Sequence, residues 1–177
     1  DGIVPLAEMF SKKLNDIPKG SRVFFIGRYS FDAKLLNDSG LFSCHYNNTS
    51  GLIDVKTKSH PDLNMVFLTA HKSKGLQADY VFIINNKKSR MGFPSKIQDA
   101  PILDLLLANC DQYPHAEERR LFYVALTRAK KKAFIVTVNG QESEFAMELK
   151  ERYGDDLKKE QFECPLCGGR LVKRSGP

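Results

Sequence analysis

Apolar residues at positions 3–15 recur at the spacing of one helix face and stop before Pro18-Lys19-Gly20, so a helix is predicted there. Residues 22–26 (RVFFI) form a short apolar run rich in aromatic and β-branched types, the pattern of a buried strand. Residues 64–69 (NMVFLT) and 80–84 (YVFII) read the same way, and the polar stretch 71–79 (HKSKGLQAD) joins them. Ser30 precedes a predicted helix over 31–36 that ends near Gly40, and a polar loop (HYNNTSG) follows from His45. Pro101 opens a predicted helix to 107, where its missing N–H does no harm. A long helix is predicted over 117–131, a strand over 133–138 (AFIVTV), and a last helix from Glu142 to about Tyr153, stopping at Gly154. Strands alternating with helices predict an α/β fold, a mainly parallel sheet flanked by helices. The main domain is expected over residues 1–153, and 154–177 as a charged linker followed by a cysteine pair.

Composition narrows this picture only a little. The chain of 177 residues is 42% hydrophobic and 27% charged, as soluble globular domains are, and its net charge of +6 suits a polyanionic partner. Its apolar runs fall short of the roughly 20 residues that span a bilayer, and the first residues, DGIVPLAEMF, lack the basic start of a secretory signal. That start reads as the interior of a longer protein, so an excised domain is expected. Cys44 and Cys110 stand alone while Cys164 and Cys167 form a CxxC pair, a usage that favours the reducing cytoplasm over a disulfide frame.

On a helical wheel over residues 117–132, Leu121, Val124, Ala125 and Ala129 share one arc, and Arg128 falls inside it. An arginine on a buried stripe requires an anion or an acceptor network. One reading is a structural ion pair with Glu117 or Glu118. The other is an arginine finger whose planar fork meets phosphate oxygens.

The segment EERRLFYVALTRAKKK (117–132) resembles the last helicase motif of the UvrD/Rep-type superfamily 1 DNA helicases. That resemblance implies a C-terminal RecA-like domain in which Arg128 touches the γ-phosphate of ATP. VFLTAHKSKGLQADYVFI (66–83) is similar to the family's strand–loop–strand element. It implies that Thr69 and His71 face DNA, with Lys72 and Lys74 as further DNA-binding residues. It also implies that Gly75 gives the loop a tight path and that Gln77, where most members carry glutamate, contacts the ribose of ATP. VFFIGRYS (23–30) resembles a third element, which implies a second phosphate-facing arginine, Arg28. Gly27 stands where many members have a tyrosine that stacks on adenine. The short interval between Arg28 and Thr69 and the MGFPS segment (91–95) look most like the helicase IV branch.

Hydrolysis needs a GxxxxGK[ST] cradle and acidic residues for Mg²⁺, and no such cradle occurs in this sequence. The expectation is therefore a half-site: an upstream RecA-like domain of the same polypeptide binds ATP with Mg²⁺, and this chain supplies arginines across a cleft and grips single-stranded or partly duplex DNA. The rival reading is a non-catalytic nucleic-acid-binding or protein-docking module on the same fold. Finally, FECPLCGGRLVKRSG (162–176) looks like the first knuckle of a zinc ribbon, with Cys164 and Cys167 as half of a four-ligand site.

Overall fold

The computed structural model describes residues 3–97, 115–154, 162–163 and 170–171. Helix α1 (Ile3–Asn15) leads into strand β1 (Arg22–Gly27), a 3-10 turn (Ser30–Asp32) and the short helix α2 (Ala33–Asn37). Strands β2 (Ser43–Asn47), β3 (Leu52–Lys56), β4 (Asn64–Thr69) and β5 (Ala78–Ile83) follow. Helix α3 (Ala116–Leu126), strand β6 (Ala129–Ile135) and helix α4 (Glu144–Tyr153) complete the main body. The six strands lie in one sheet in the order β2-β3-β4-β1-β5-β6. β4, β1, β5 and β6 run parallel, while β3 is antiparallel to both β2 and β4. The expected mainly parallel α/β sheet is what forms.

β1 is central, so both of its faces are covered. Val23 and Phe25 point into one apolar cluster, with Phe10 and Leu14 of α1 and Leu36 of α2. Phe24 and Ile26 point into the other, with Leu121, Phe122 and Ala125 of α3 and Phe145 of α4. All four of these β1 side chains are wholly buried, which explains why the strand reads as continuously apolar. Each such side chain contributes about 1.5–3 kcal/mol of burial free energy. Phe10, Phe25 and Phe82 pack ring against ring, with centroids 5.3–5.5 Å apart.

Three expectations need correction. The polar segment from His45 is not a loop but the β2–β3 hairpin, because Asn47 Oδ1 accepts from the N–H groups of Thr49 and Ser50 and closes the turn. The helix expected to reach 131 stops at Leu126, and the lysine run that looked like its tail belongs to β6. Lys130–Lys132 are exposed there on an edge strand, where lysines discourage pairing with another sheet. Arg128 consequently sits in the turn between α3 and β6, and its place on a helical stripe with Leu121, Val124, Ala125 and Ala129 does not apply. The helix expected over 101–107 lies outside the described residues. Among those residues no helix is long and apolar enough to cross a membrane.

Candidate functional site

The parallel strands give the sheet two chemically distinct ends. Gly27 of β1 stands in register with Thr69 of β4, so Arg28 and the Thr69 loop leave the same carboxyl-terminal end. Residues 70–77 then carry the chain back to the opposite end, where β5 starts. Such crossovers commonly take about a dozen residues or more. This short one holds its path through buried Ala70 and Ser73. The Ala70 N–H donates to the Gly27 carbonyl at 2.9 Å, and Ser73 Oγ donates to the Ala70 carbonyl at 2.6 Å. Gly75 has φ +80, a left-handed conformation that favours glycine, and Leu76 and Gln77 follow in an extended approach to β5.

Arg128 meets the far end of this crossover. Its Nε donates to the Val124 carbonyl at 2.9 Å, Nη1 to the Leu76 carbonyl at 3.3 Å and Nη2 to Thr127 Oγ1 at 3.1 Å. The Arg128 carbonyl in turn accepts from the Ala78 N–H at 3.0 Å. The guanidinium therefore caps the last turn of α3 and anchors the loop that carries Gly75 and Gln77. The half-buried arginine is held without a carboxylate among these bonds, and Gln77 beside it is exposed. These three hydrogen bonds use three of the five donor hydrogens of the fork.

Arg28 lies at the other end. Its Nε donates to both oxygens of Glu118, at 2.7 and 3.0 Å, and Nη2 stands 2.7 Å from Oε1. Glu118 also accepts from the Ser95 N–H at 2.9 Å. Both side chains are largely withdrawn from solvent. Glu118 opens α3 and Arg128 follows its last turn, ten residues later, which corresponds to roughly 15 Å along a helix. The structure thus does not bring Arg28 and Arg128 together. The ion pair weighed for Arg128 exists, but Arg28 makes it.

Thr69, His71, Lys72 and Lys74 cluster at the Arg28 end. Thr69 Oγ1 accepts from the Lys72 N–H at 3.3 Å, and Lys72 Nζ reaches the Gly51 carbonyl of the β2–β3 turn at 2.9 Å. His71 is held below the usual histidine value, first by partial burial and then by the positive charges of Arg28 and Lys74. His71, Lys72 and Lys74 are exposed. A glycine precedes Arg28 for a local reason. A Cβ at Gly27 would meet both Cβ and Oδ2 of buried Asp32 at 2.7 Å, so the tyrosine many relatives place there has no room.

Several residues of this end escaped the sequence reading. Glu118 was visible only as one acid of a pair, Ser95 only as part of MGFPS, and Tyr29 and Phe31 only as helix-flanking aromatics. Cys164 and Cys167 lie outside the described residues. The strands on either side of them, β7 (Phe162–Glu163) and β8 (Arg170–Leu171), pair antiparallel. Among the described residues, no cluster of three or more histidine, cysteine or acidic side chains is placed to hold a metal ion.

Comparison with known proteins agrees with this layout. DNA helicase IV of Escherichia coli (strain K12) is 34% identical over 151 residues, which cover 78% of this chain and 22% of the relative. A probable DNA helicase II homolog of Mycoplasma capricolum is 38% identical over 98 residues, covering 54% of this chain and 12% of that protein. The chain thus spans about a fifth or less of the curated relatives it matches. Residues 46–140 match the family model of the UvrD-like helicase C-terminal domain. With that match across the hairpin, the crossover and α3, the chain belongs to the UvrD-like helicase C-terminal domain family.

Proposed function

We propose that this chain is the second motor domain of a cytoplasmic, ATP-dependent DNA helicase, completed by an upstream RecA-like domain of the same polypeptide. What carries the reading is the hydrogen bond from Arg128 Nη1 to the Leu76 carbonyl. It joins the TRA turn to the GLQ turn, so Arg128, Gly75 and Gln77 form one group at one end of the sheet. Thr69, His71, Lys72 and Lys74 form a second group at the other end, on the same loop.

The first group is the nucleotide face. Arg128 is the arginine finger: its guanidinium, fixed by backbone carbonyls and not by a carboxylate, is positioned to stabilise charge on the transferring phosphoryl group. In other motors such a finger changes the rate by ~10³–10⁵. Gln77 supplies an amide to the ribose hydroxyls, and Gly75 leaves the backbone open to close approach. The upstream domain supplies the phosphate cradle and the Mg²⁺ ligands, which this sequence lacks. The second group is the DNA face, where exposed lysines meet phosphates and Thr69 and His71 offer hydrogen bonds to a single strand. Arg28 belongs to that face as a positioning residue. Its charge is taken up by Glu118, and it holds the first turn of α3 against the end of β1.

ATP turnover measured with and without single-stranded DNA tests this reading. The full-length protein is expected to hydrolyse ATP in a DNA-stimulated manner and this chain alone to be inactive. Robust turnover by this chain alone contradicts the half-site.

The cysteine pair carries a smaller proposal of the same kind. Cys164 and Cys167, bracketed by β7 and β8, supply two thiolates of a zinc site whose other ligands lie elsewhere. Metal analysis of a longer chain against its Cys164→Ser variant tests it, and a longer chain free of zinc ends it.

A further inference from the structure

The segment after β1 carries aromatic side chains that the nucleotide and DNA faces above do not use. Tyr29 and Phe31 stack with ring centroids 5.0 Å apart and planes 10° from parallel, and the Arg28 guanidinium lies 4.9 Å from the Tyr29 ring centroid. This stack is rigidly mounted. Tyr29 Oη and Ser95 Oγ share a hydrogen bond of 2.6 Å, and buried Asp32 accepts from the Tyr29 N–H at 2.9 Å and from Asn85 Nδ2 at 2.8 Å. Yet Phe31 remains 51% exposed. An aromatic ring this open yet this well supported costs little conformational entropy to use in binding.

Its surroundings are cationic. Phe31 borders an open groove of about 420 Å³ whose rim carries Lys34, Lys87 and Arg90, with Met91 as a second exposed apolar side chain. One exposed acid, Asp38, shares the rim, while the Asp32 carboxylate is buried beneath and engaged as described. The groove also lies at the DNA end of the sheet. The Thr69 loop leaves β4, the Tyr29–Phe31 segment leaves β1, and the Asn85–Met91 side leaves β5, three adjacent parallel strands ending together.

We propose that Phe31, backed by Tyr29, is a stacking platform for an unpaired base of single-stranded DNA, with Lys34, Lys87 and Arg90 holding the flanking phosphates. Flat aromatic faces interleaved with cations suit a single strand, because its bases expose the π-faces that a duplex keeps stacked. The inference rests on the DNA-binding reading of the Thr69 loop and extends the strand's path from β4 across β1 to β5.

Fluorescence anisotropy of a labelled oligo-dT with this chain tests the proposal. Phe31→Ala should weaken binding about tenfold and Phe31→Trp should retain it, within the usual worth of one base–aromatic stack. An oligonucleotide of abasic sites should bind wild type and Phe31→Ala alike. If Phe31→Ala binds oligo-dT as wild type does while Lys72→Ala weakens it, the platform is overturned and the DNA face stands. If wild type does not bind oligo-dT at all, both are overturned.

Discussion

Arg28 and Glu118 form a two-pronged ion pair across 90 positions of sequence, with contacts of 2.7 and 3.0 Å from Nε and 2.7 Å from Nη2. The pair fastens the end of the central strand to the first turn of α3. It also fixes the polarity of the domain. A carboxylate occupies the arginine at the DNA end, whereas the arginine at the opposite end, Arg128, is held by carbonyls and a hydroxyl.

Removing either half of this pair should weaken the fold. Glu118→Gln keeps the shape but loses the charge, and hydrogen bonds to charged groups contribute about 1.5–3 kcal/mol. Urea denaturation should show a loss of that order, with a double-mutant cycle against Arg28→Ala giving a coupling of about 1–3 kcal/mol. Additive single losses would show that the pair contributes nothing beyond packing.

Gly27 is a steric requirement. Gly27→Ala places a methyl group 2.7 Å from Asp32 Cβ and Oδ2, so a shift of the β1 end or of Asp32 is forced. A destabilisation of about 1–3 kcal/mol is expected from this overpacking. Calorimetry should find it as a drop in Tm of roughly 2–4 °C per kcal/mol. An unchanged Tm would show that Asp32 yields freely.

His71 ties stability to pH. Its folded value lies below the ordinary 6.5 because burial and Arg28 disfavour the cation. The unfolded chain therefore binds the proton more readily. The contribution is fully present above pH 6.5 and is lost as pH falls from 6.5 through the folded value. Denaturation midpoints compared at neutral and mildly acidic pH should fall more for wild type than for His71→Gln. Equal slopes would remove His71 from the account.

Gln77 should act on nucleotide binding and not on chemistry. In the full-length protein, Gln77→Ala is expected to raise the KM for ATP several-fold, about 1 kcal/mol for one neutral hydrogen bond, with kcat nearly unchanged. An equal fall in kcat with KM constant would place Gln77 in the transition state instead.

Much of this was readable in the chain because local pattern and tertiary context agree. Residues 22–26 and 64–69 are apolar because the strands they form are covered on both faces, and Ser143 caps α4 through the Ala146 N–H as its position suggests. The failures have physical causes too. The β2–β3 hairpin hides behind polar letters because it lies at the sheet margin, and its turn is closed by Asn47. The lysines after Arg128 favour a helix locally, but pairing with β5 draws residues from Ala129 onward into the sheet. The partner of Arg28 stands 90 residues away, a separation no spacing rule could bridge. Motif letters marked both arginines, while only the parallel strand order shows that they stand at opposite ends.

The most direct test is Arg128→Ala in the full-length protein, with ATP turnover and oligo-dT affinity measured on the same preparation. Turnover should fall by ~10³ or more, the scale of a lost arginine finger, while DNA affinity stays close to wild type. Turnover near the wild-type rate would show that Arg128 is only the cap of α3 and would contradict the nucleotide face assigned to this domain.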